Sequence, residues 1–352
     1  MIQDIGRGRF RNEYTLRAEA APQDTAVVFR GRTILVVKED GAEEERFRLP
    51  LISELEGAET ARFQYLFRID STNYQMLLPE NYAVPVQASA EENSSGEDSG
   101  SGDNNTLPAE EFSCRGGKYA ELRSLRGSHP KETVYAAETA WQLYCWYRDN
   151  RFCGRCGGRM RIGDKERNLI CDFCGNTAYP RIMPAVIVGV VSRTAGSAQA
   201  AGAPDVSGAA VPGTGTPDPA APAKRTPLGS DRIMMTRYRG RGFTHHALIA
   251  GFCEIGETGE DTVRREVMEE TGLAVKNIVY YNSQPWGFDS DLLLGYFCEL
   301  DGEDTVTIDE EELSTAEWVR RDEISETFED VSLTNDMMIA FKEGRDPFST
   351  VI

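Results

Sequence analysis

Two cysteine pairs, Cys153-Gly-Arg-Cys156 and Cys171-Asp-Phe-Cys174, fix the local fold of this chain more tightly than any other feature. Fourteen residues separate the pairs, and a glycine, Gly157 or Gly175, follows each. Two such turns present four thiolates tetrahedrally to one Zn2+, the glycines permitting the tight backbone turn behind the ligands. Four cysteines leave no coordination position for water, so the metal is expected to fold a small ribbon rather than to catalyse. Two redox dithiols are the competing reading, but they call for a thioredoxin-like βαβ setting that the flanking sequence lacks. The other four cysteines, Cys114, Cys145, Cys253 and Cys298, stand singly and read as buried or half-buried thiols. Around the pairs Arg148, Arg151, Arg155, Arg159, Arg161, Lys165 and Arg167 outweigh Asp149, Asp164 and Glu166. Such a cluster is usually a solvated face; it could also meet a phosphate or an RNA backbone.

With 352 residues, 40% hydrophobic and 27% charged, the chain has the material for a soluble globular protein of two or three domains. Its net charge of -19 repels nucleic acid and anionic membrane at long range, which excludes a generic polyanion-binding protein. The opening MIQDIGRGRFRNEY carries charges where a secretory signal needs an apolar stretch, and the best apolar run, Met183 to Val191, is too short to span a bilayer. A cytoplasmic location and no membrane partner are expected. Residues 87–106 have no Val, Ile, Leu, Met or aromatic side chain and several acids, and residues 194–230 are rich in Ala, Gly, Pro and Thr. Both are expected to be flexible, since neither can bury enough to offset its ordering entropy.

Before the first of these stretches, strand-like runs recur at Thr25–Phe29, Thr33–Lys38, Arg62–Arg68 and Tyr74–Leu78, the last two joined by a turn at Asp70–Asn73. A β-rich N-terminal domain over residues 1–130 is expected, and no site can be read in it. From Glu132 to Asp149 the spacing of Trp141, Tyr144, Cys145 and Arg148 predicts an amphipathic helix, which with the cysteine pairs makes a second region, 131–180. Residues 181–352 alternate strands, at Ala185–Val191, Arg232–Arg237, Ala247–Phe252, Ile278–Ser283, Leu292–Glu299 and Ala316–Val319, with helices near Thr258–Thr271 and Ser332–Glu343. That is an α/β pattern, and the insertion at 194–230 falls where a short hairpin turn would otherwise be. The whole reads as a multidomain α+β and α/β chain.

The segment from Gly251 to Leu273 carries the chemistry. Thr258 can cap a helix with Asp261 and Gly272 can end it, so that Glu266, Glu269 and Glu270 share one exposed face while Val263 and Val267 turn to the core. Crowded carboxylates repel, but hard cations such as Mg2+ or Mn2+ need that oxygen cluster. An acidic helix surface is the plain alternative. The spacing decides between them: Gly251, Glu257, Arg265, Glu266, Glu269, Glu270 and Gly272 fall on all seven fixed positions of G-x5-E-x7-R-E-U-x-E-E-x-G-U, with Val267 and Leu273 at the aliphatic ones. An accidental match is on the order of one in a million. The chain thus resembles the Nudix hydrolases, which cleave a diphosphate linked to a nucleoside with the help of a divalent metal. The resemblance implies an α/β/α sandwich for the C-terminal domain, Glu266 and Glu270 as Mg2+ or Mn2+ ligands, and Glu269 sharing the metal or taking the proton of water. It makes Arg265 and Glu257 a salt bridge between loop and helix, and Gly251 the residue that lets the backbone of Ala250 approach a metal.

Downstream, Ser283-Gln-Pro-Trp-Gly-Phe-Asp-Ser-Asp291 resembles the S-Q-P-W-P-F-P-x-S signature of the NADH pyrophosphatase (NAD diphosphatase) branch, with Gly287 and Asp289 in place of prolines and Asp291 in place of the last serine. Losing two prolines is expected to loosen the loop. The same branch joins a β-rich N-terminal domain, a four-cysteine zinc ribbon followed by Tyr-Pro, here Tyr179-Pro180, and a Nudix domain. By this resemblance Tyr179, Gln284, Pro285, Trp286 and Phe288 contact the nucleotide, Glu312 is a further metal ligand unless Glu310 or Glu311 takes its place, and the protein is a homodimer. For Trp286 and Phe288 a packed aromatic corner is the alternative. The implied reaction is hydrolysis of NADH or NAD+ to NMNH or NMN plus AMP. Removal of an NAD cap from RNA, hydrolysis of another nucleoside diphosphate such as ADP-ribose, and a catalytically dead zinc-ribbon adaptor are the rivals. No G-x-G-x-x-G follows a strand, so a Rossmann cofactor site is not implied.

Overall fold

The structure, a computed structural model, describes residues 1–39, 46–58, 61–78, 112–193, 231–240, 245–324 and 329–349. The expected acidic loop at 87–106 and the insertion at 194–230 lie outside the described residues. The chain divides into two compact units, Met1–Met183 with Pro285–Leu292, and Pro184–Gln284 with Leu293–Ile352.

The first unit begins with β1 (Phe10–Arg11), β2 (Thr25–Val27), β3 (Phe29–Arg30), β4 (Thr33–Lys38), β5 (Phe47–Arg48), β6 (Leu55–Glu56), β7 (Phe63–Ile69), β8 (Thr72–Leu77), β9 (Ser113–Cys114) and β10 (Gly117–Glu121). They form two four-stranded sheets, β1-β7-β8-β2 and β10-β4-β3 with β5 on β4, and the pair β6-β9. Ala26, Val28, Leu35, Val37, Leu55 and Cys114 make a buried cluster there. The β7–β8 turn is tighter than expected: pairing resumes at Ile69↔Thr72, leaving only Asp70 and Ser71 in the turn. Asp70 adopts φ +52°, which a short polar side chain tolerates, and Arg9 grips its carboxylate at 2.8 Å.

Helix α1 (Lys131–Asp149) follows. It is not the one-stripe amphipathic helix that the spacing predicts: Ala136, Ala137, Ala140, Trp141, Leu143, Tyr144, Trp146 and Tyr147 are all buried, so most of its circumference faces protein. The alanines allow close approach on the side that a helix in open solvent would fill with polar residues. Among the helix's buried residues is Glu138, whose two carboxyl oxygens have no hydrogen-bond partner among the described residues. The ribbon strands β11 (Met160–Ile162), β12 (Leu169–Cys171) and β13 (Thr177–Ala178) then pair antiparallel in that order.

The last six strands are β14 (Met183–Ser192), β15 (Arg232–Tyr238), β16 (Ile249–Phe252), β17 (Val275–Trp286), β18 (Asp291–Leu300) and β19 (Leu313–Arg320). They form one sheet in the order β17-β18-β14-β15-β19, with β16 on β14. The expected hairpin across the insertion is present, Ser192 pairing with Arg232 at its open end. The predicted strand Ala247–Phe252 begins two residues later; Ala247 makes only an isolated bridge to Thr236. Helix α2 (Gly259–Thr271) lays Val263 and Val267 on one face of the sheet, against Val186, Val188, Val190, Ile249, Tyr296 and Cys298. The alternate residues face the other way, where α3 (Leu333–Lys342) packs: a Cβ on Gly295 would lie 2.9 Å from Met337 Sδ and 3.2 Å from Leu333 Cδ2. The period-2 strands between two apolar helix stripes make this unit the α/β/α sandwich expected. No helix among the described residues is long and apolar enough to cross a membrane.

Candidate active site

Helix α2 starts and stops as its sequence dictates. The Thr258 hydroxyl accepts from the Asp261 amide at 3.1 Å, the Asp261 carboxylate accepts from the Thr258 amide in return, and Gly272 closes the helix at φ +69°. This fixes the rotation at which the glutamates leave the helix. They do not share an exposed face. Glu269 is open to solvent, Glu266 is largely covered, and Glu270 is 2% exposed. The i, i+3, i+4 spacing spreads them over an arc, and β16 covers one side of that arc.

Arg265 organises the group. Its Nε and Nη2 donate to the two oxygens of Glu257 at 2.7 and 2.9 Å, the bidentate geometry that a guanidinium and a carboxylate favour. Nη1 donates to Glu266 at 2.7 Å and to Glu269 at 3.0 Å, and Nη2 also reaches the Phe252 carbonyl at 2.9 Å. The loop 254–257 is thereby tied to the helix, with Glu257 also accepting from the Glu254 amide and the Thr262 hydroxyl. These donors hold the Glu257 carboxyl down to about 2, the Arg265 guanidinium being the main cause. Burial pushes the Glu266 carboxyl up, against the pull of Arg265, and the neighbouring Glu269 and Glu312 carboxylates push the same way.

Gly251 has a use that spacing alone does not reveal. A Cβ there would stand 1.9 to 2.3 Å from the carboxyl atoms of Glu266, so only glycine lets this carboxylate lie on the β16 backbone beside Ala250. The Asp309–Glu312 turn is brought to the same end of α2 by the Asp309 amide, which donates to the Glu270 carbonyl at 3.0 Å; Glu312 is exposed there. The unit therefore collects Glu257, Arg265, Glu266, Glu269, Glu270, Ala250 and the Glu312 turn. The oxygens of Glu266, Glu269 and Glu270 are not all within 4.8 Å of one another; among the described residues only Cys153, Cys156, Cys171 and Cys174 form so tight a set of metal donors.

In the ribbon the Cys153 and Cys174 sulfurs are 3.6 Å apart, and those of Cys156 and Cys171 3.5 Å. The two turns repeat each other: the Gly157 amide donates to the Cys153 carbonyl and the Gly175 amide to the Cys171 carbonyl, both at 2.8 Å, and both glycines lie at φ near +70°. Four soft thiolates in this arrangement suit Zn2+. The basic cluster is dispersed: Arg148 pairs with Asp149, Arg161 with Asp172, and Arg167 turns inward.

The signature loop is packed into the protein. Gln284 is fully buried; its amide nitrogen donates to the Val331 carbonyl at 3.0 Å and its oxygen accepts from the Leu333 amide at 2.6 Å. It clamps the entry to α3. Trp286 and Phe288 are buried too, in the packed aromatic corner that was the alternative reading, with ring centres 5.0 Å apart. The loop is not loosened by its missing prolines. Gly287 packs on α1 so closely that a Cβ would lie 2.3 Å from the Glu138 carbonyl oxygen, and Asp289 accepts from Arg123 at 2.6 Å and from the Trp286 indole at 3.2 Å. Pro285 is half-buried beside them, whereas Tyr179 is exposed, its hydroxyl donating to Glu166 at 2.9 Å.

Comparison with known proteins agrees with this geometry. Residues 227–338 match the model of the NUDIX domain and residues 148–179 that of the NADH pyrophosphatase zinc ribbon domain. The NAD-capped RNA hydrolase NudC of Klebsiella pneumoniae subsp. pneumoniae is 33% identical over 184 residues, 52% of this chain and 56% of that protein. The protein of the same name from Enterobacter sp. (strain 638) is 34% identical over 183 residues, with the same coverage. The chain thus spans little more than half the length of these relatives. A NUDIX hydrolase structure from Nitrosomonas europaea is similar at a TM-score of 0.36 and 21% identity, over 55% of this chain and 92% of that one.

Proposed function

We propose, for a chain that carries a NUDIX domain and an NADH pyrophosphatase zinc ribbon domain, metal-dependent hydrolysis of the diphosphate bond of NADH or NAD+ to NMNH or NMN plus AMP. The observation that carries this reading is the seating of Glu266 on Gly251 under the Arg265 bridge to Glu257 and Glu269. A helix surface with no further task does not require a glycine beneath one carboxylate and an arginine divided among three.

Glu266 and Glu270, with Glu312 and the Ala250 carbonyl, are the oxygen donors that would hold Mg2+ or Mn2+, a hard set that suits either ion. When bound, such a cation neutralises diphosphate charge and makes the attacking water more acidic. Glu269, more exposed than Glu266 and Glu270, is assigned to share the cation or take the proton of water. Arg265 and Glu257 are positioning residues that hold the loop against the helix. Zn2+ in the ribbon has a folding role. We place the protein in the cytoplasm as a homodimer, which its mass in solution by light scattering would test.

The test is to incubate the zinc-loaded protein and Mg2+ with equal amounts of NADH, NAD+, ADP-ribose and NAD-capped RNA, and to separate the products. Release of AMP with NMNH or NMN from the free dinucleotides is expected. Cleavage of capped RNA alone would replace this reading by cap removal, which the name of the relatives favours as the second reading. Cleavage of none would leave the adaptor.

A further inference from the structure

The turn between β17 and β18 departs from the proline-rich signature at Gly287, Asp289 and Asp291, and all three lie in the first unit. No proline fits at 287 in this arrangement, because any Cβ there would lie 2.3 Å from the Glu138 carbonyl oxygen. At 289 a carboxylate takes over the bracing that a proline ring would give. Arg123 donates to its two oxygens at 2.5 and 2.6 Å, and the Trp286 indole donates to one of them at 3.2 Å. The same guanidinium lies 5.9 Å from the centre of the Phe288 ring. Ser290 adopts φ +71°, which a residue with a Cβ keeps only where its surroundings hold it, and its carbonyl accepts from the Met183 amide at 2.9 Å.

Asp291 lacks such support. It is 8% exposed, and its Oδ1 is buried with no hydrogen-bond partner among the described residues. A carboxylate in that position is costly, whereas a neutral carboxyl costs far less. The charged groups that act on it are Asp289, on its own turn, and Arg123, from the segment Leu122–Leu125, and Arg123 is already committed to Asp289. Burial first, and then the Asp289 carboxylate, push the Asp291 carboxyl up to about 6, with Arg123 pulling the other way. Its value is thus higher with the turn closed than with the carboxyl in water, so protonation favours the closed turn. The stability contributed is fully present below about 3.9 and is lost as pH rises through about 6.

We propose that Asp291 is a proton-operated latch on the signature turn: neutral, it leaves Arg123 to Asp289 and the turn stays packed on the first unit; ionised, it sets a second, buried carboxylate beside Asp289 and loosens the turn. Trp286 and Phe288 ride on this turn, so the latch sets how firmly their packed corner is held near neutral pH. The test is hydrogen exchange of the amides from Gly287 to Leu292, read by mass spectrometry on the full zinc-loaded chain at pH 5 and pH 8 and corrected for the intrinsic exchange rate. The parent chain is compared with Asp291→Asn, which keeps the shape of the side chain, and with Asp291→Ser, which restores the residue of the signature. Protection is expected to fall by about tenfold from the lower to the higher pH in the parent chain and to stay level in both variants. Level protection in the parent chain, or an equal fall in all three proteins, would overturn the proposal. The readout needs no substrate, so its outcome is separate from that of the hydrolysis assay.

Discussion

A methyl group at position 251 would occupy the space that the Glu266 carboxyl now fills, 1.9 Å from its Cδ. Gly251→Ala should therefore leave the fold intact and push that carboxylate out of register. A displacement of about 1 Å at a reacting centre costs on the order of a hundredfold in rate. The expected outcome is a kcat for NADH lowered by about that factor, with unchanged far-UV circular dichroism; an unchanged kcat would remove Glu266 from the site. Likewise Glu270→Gln should abolish hydrolysis, and unaltered turnover would sink the metal-site reading. Much at this scale was legible in the sequence, because the pattern from Gly251 to Leu273 records spacing and side-chain chemistry: the Thr258–Asp261 cap, the Gly272 stop and the Arg265–Glu257 bridge all follow from it. The contact beneath Glu266 was not, since the relation of a glycine on a strand to a glutamate fifteen residues later depends on how helix and strand pack.

Elements are where environment overrules pattern. Helix α1 reads as amphipathic and is buried nearly all round, which brings Glu138 into the interior with its carboxyl pushed well above the usual range by burial alone. The sign follows from proton linkage. The unfolded carboxyl titrates near about 4.3, the folded one higher, so the folded state binds the extra proton between the two values. The stability contributed is fully present below the lower value and is lost as pH rises toward the folded one. Glu138→Met should accordingly stabilise the protein at pH 8 by about 1–3 kcal/mol in urea melts, and by much less at pH 4; destabilisation at pH 8 would point to a partner for this carboxyl. The ribbon makes the opposite case, in which pattern suffices. Its fold follows from the four cysteines and two glycines, and removing Zn2+ should unfold it. A thiol titration of the native protein is expected to show Cys153, Cys156, Cys171 and Cys174 protected until a strong chelator is added. The signature loop combines both cases, its sequence recognisable but its proline-poor form held by Gly287 on α1 and by Asp289 on Arg123.

At the scale of the whole molecule, the net charge of -19 opposes any polyanion. Hydrolysis of free NADH should change less than about twofold between 50 and 200 mM salt, whereas cleavage of capped RNA, if the ribbon arginines neutralise three phosphates, should fall by roughly tenfold or more. Equal salt dependence for the two substrates would deny the ribbon a part in RNA binding. The sequence by itself determined the β-rich start, the zinc ribbon, the α/β/α sandwich and the identity of the carboxylate helix, because periodicity, capping and ligand spacing are local and survive in one dimension. Only the tertiary structure decided which glutamate is buried, that Gln284, Trp286 and Phe288 are buried too, and that a glycine lies beneath the Glu266 carboxylate. Each of these depends on which surface is brought against which, and burial, close approach and unsatisfied polar groups arise only when segments distant in the chain meet.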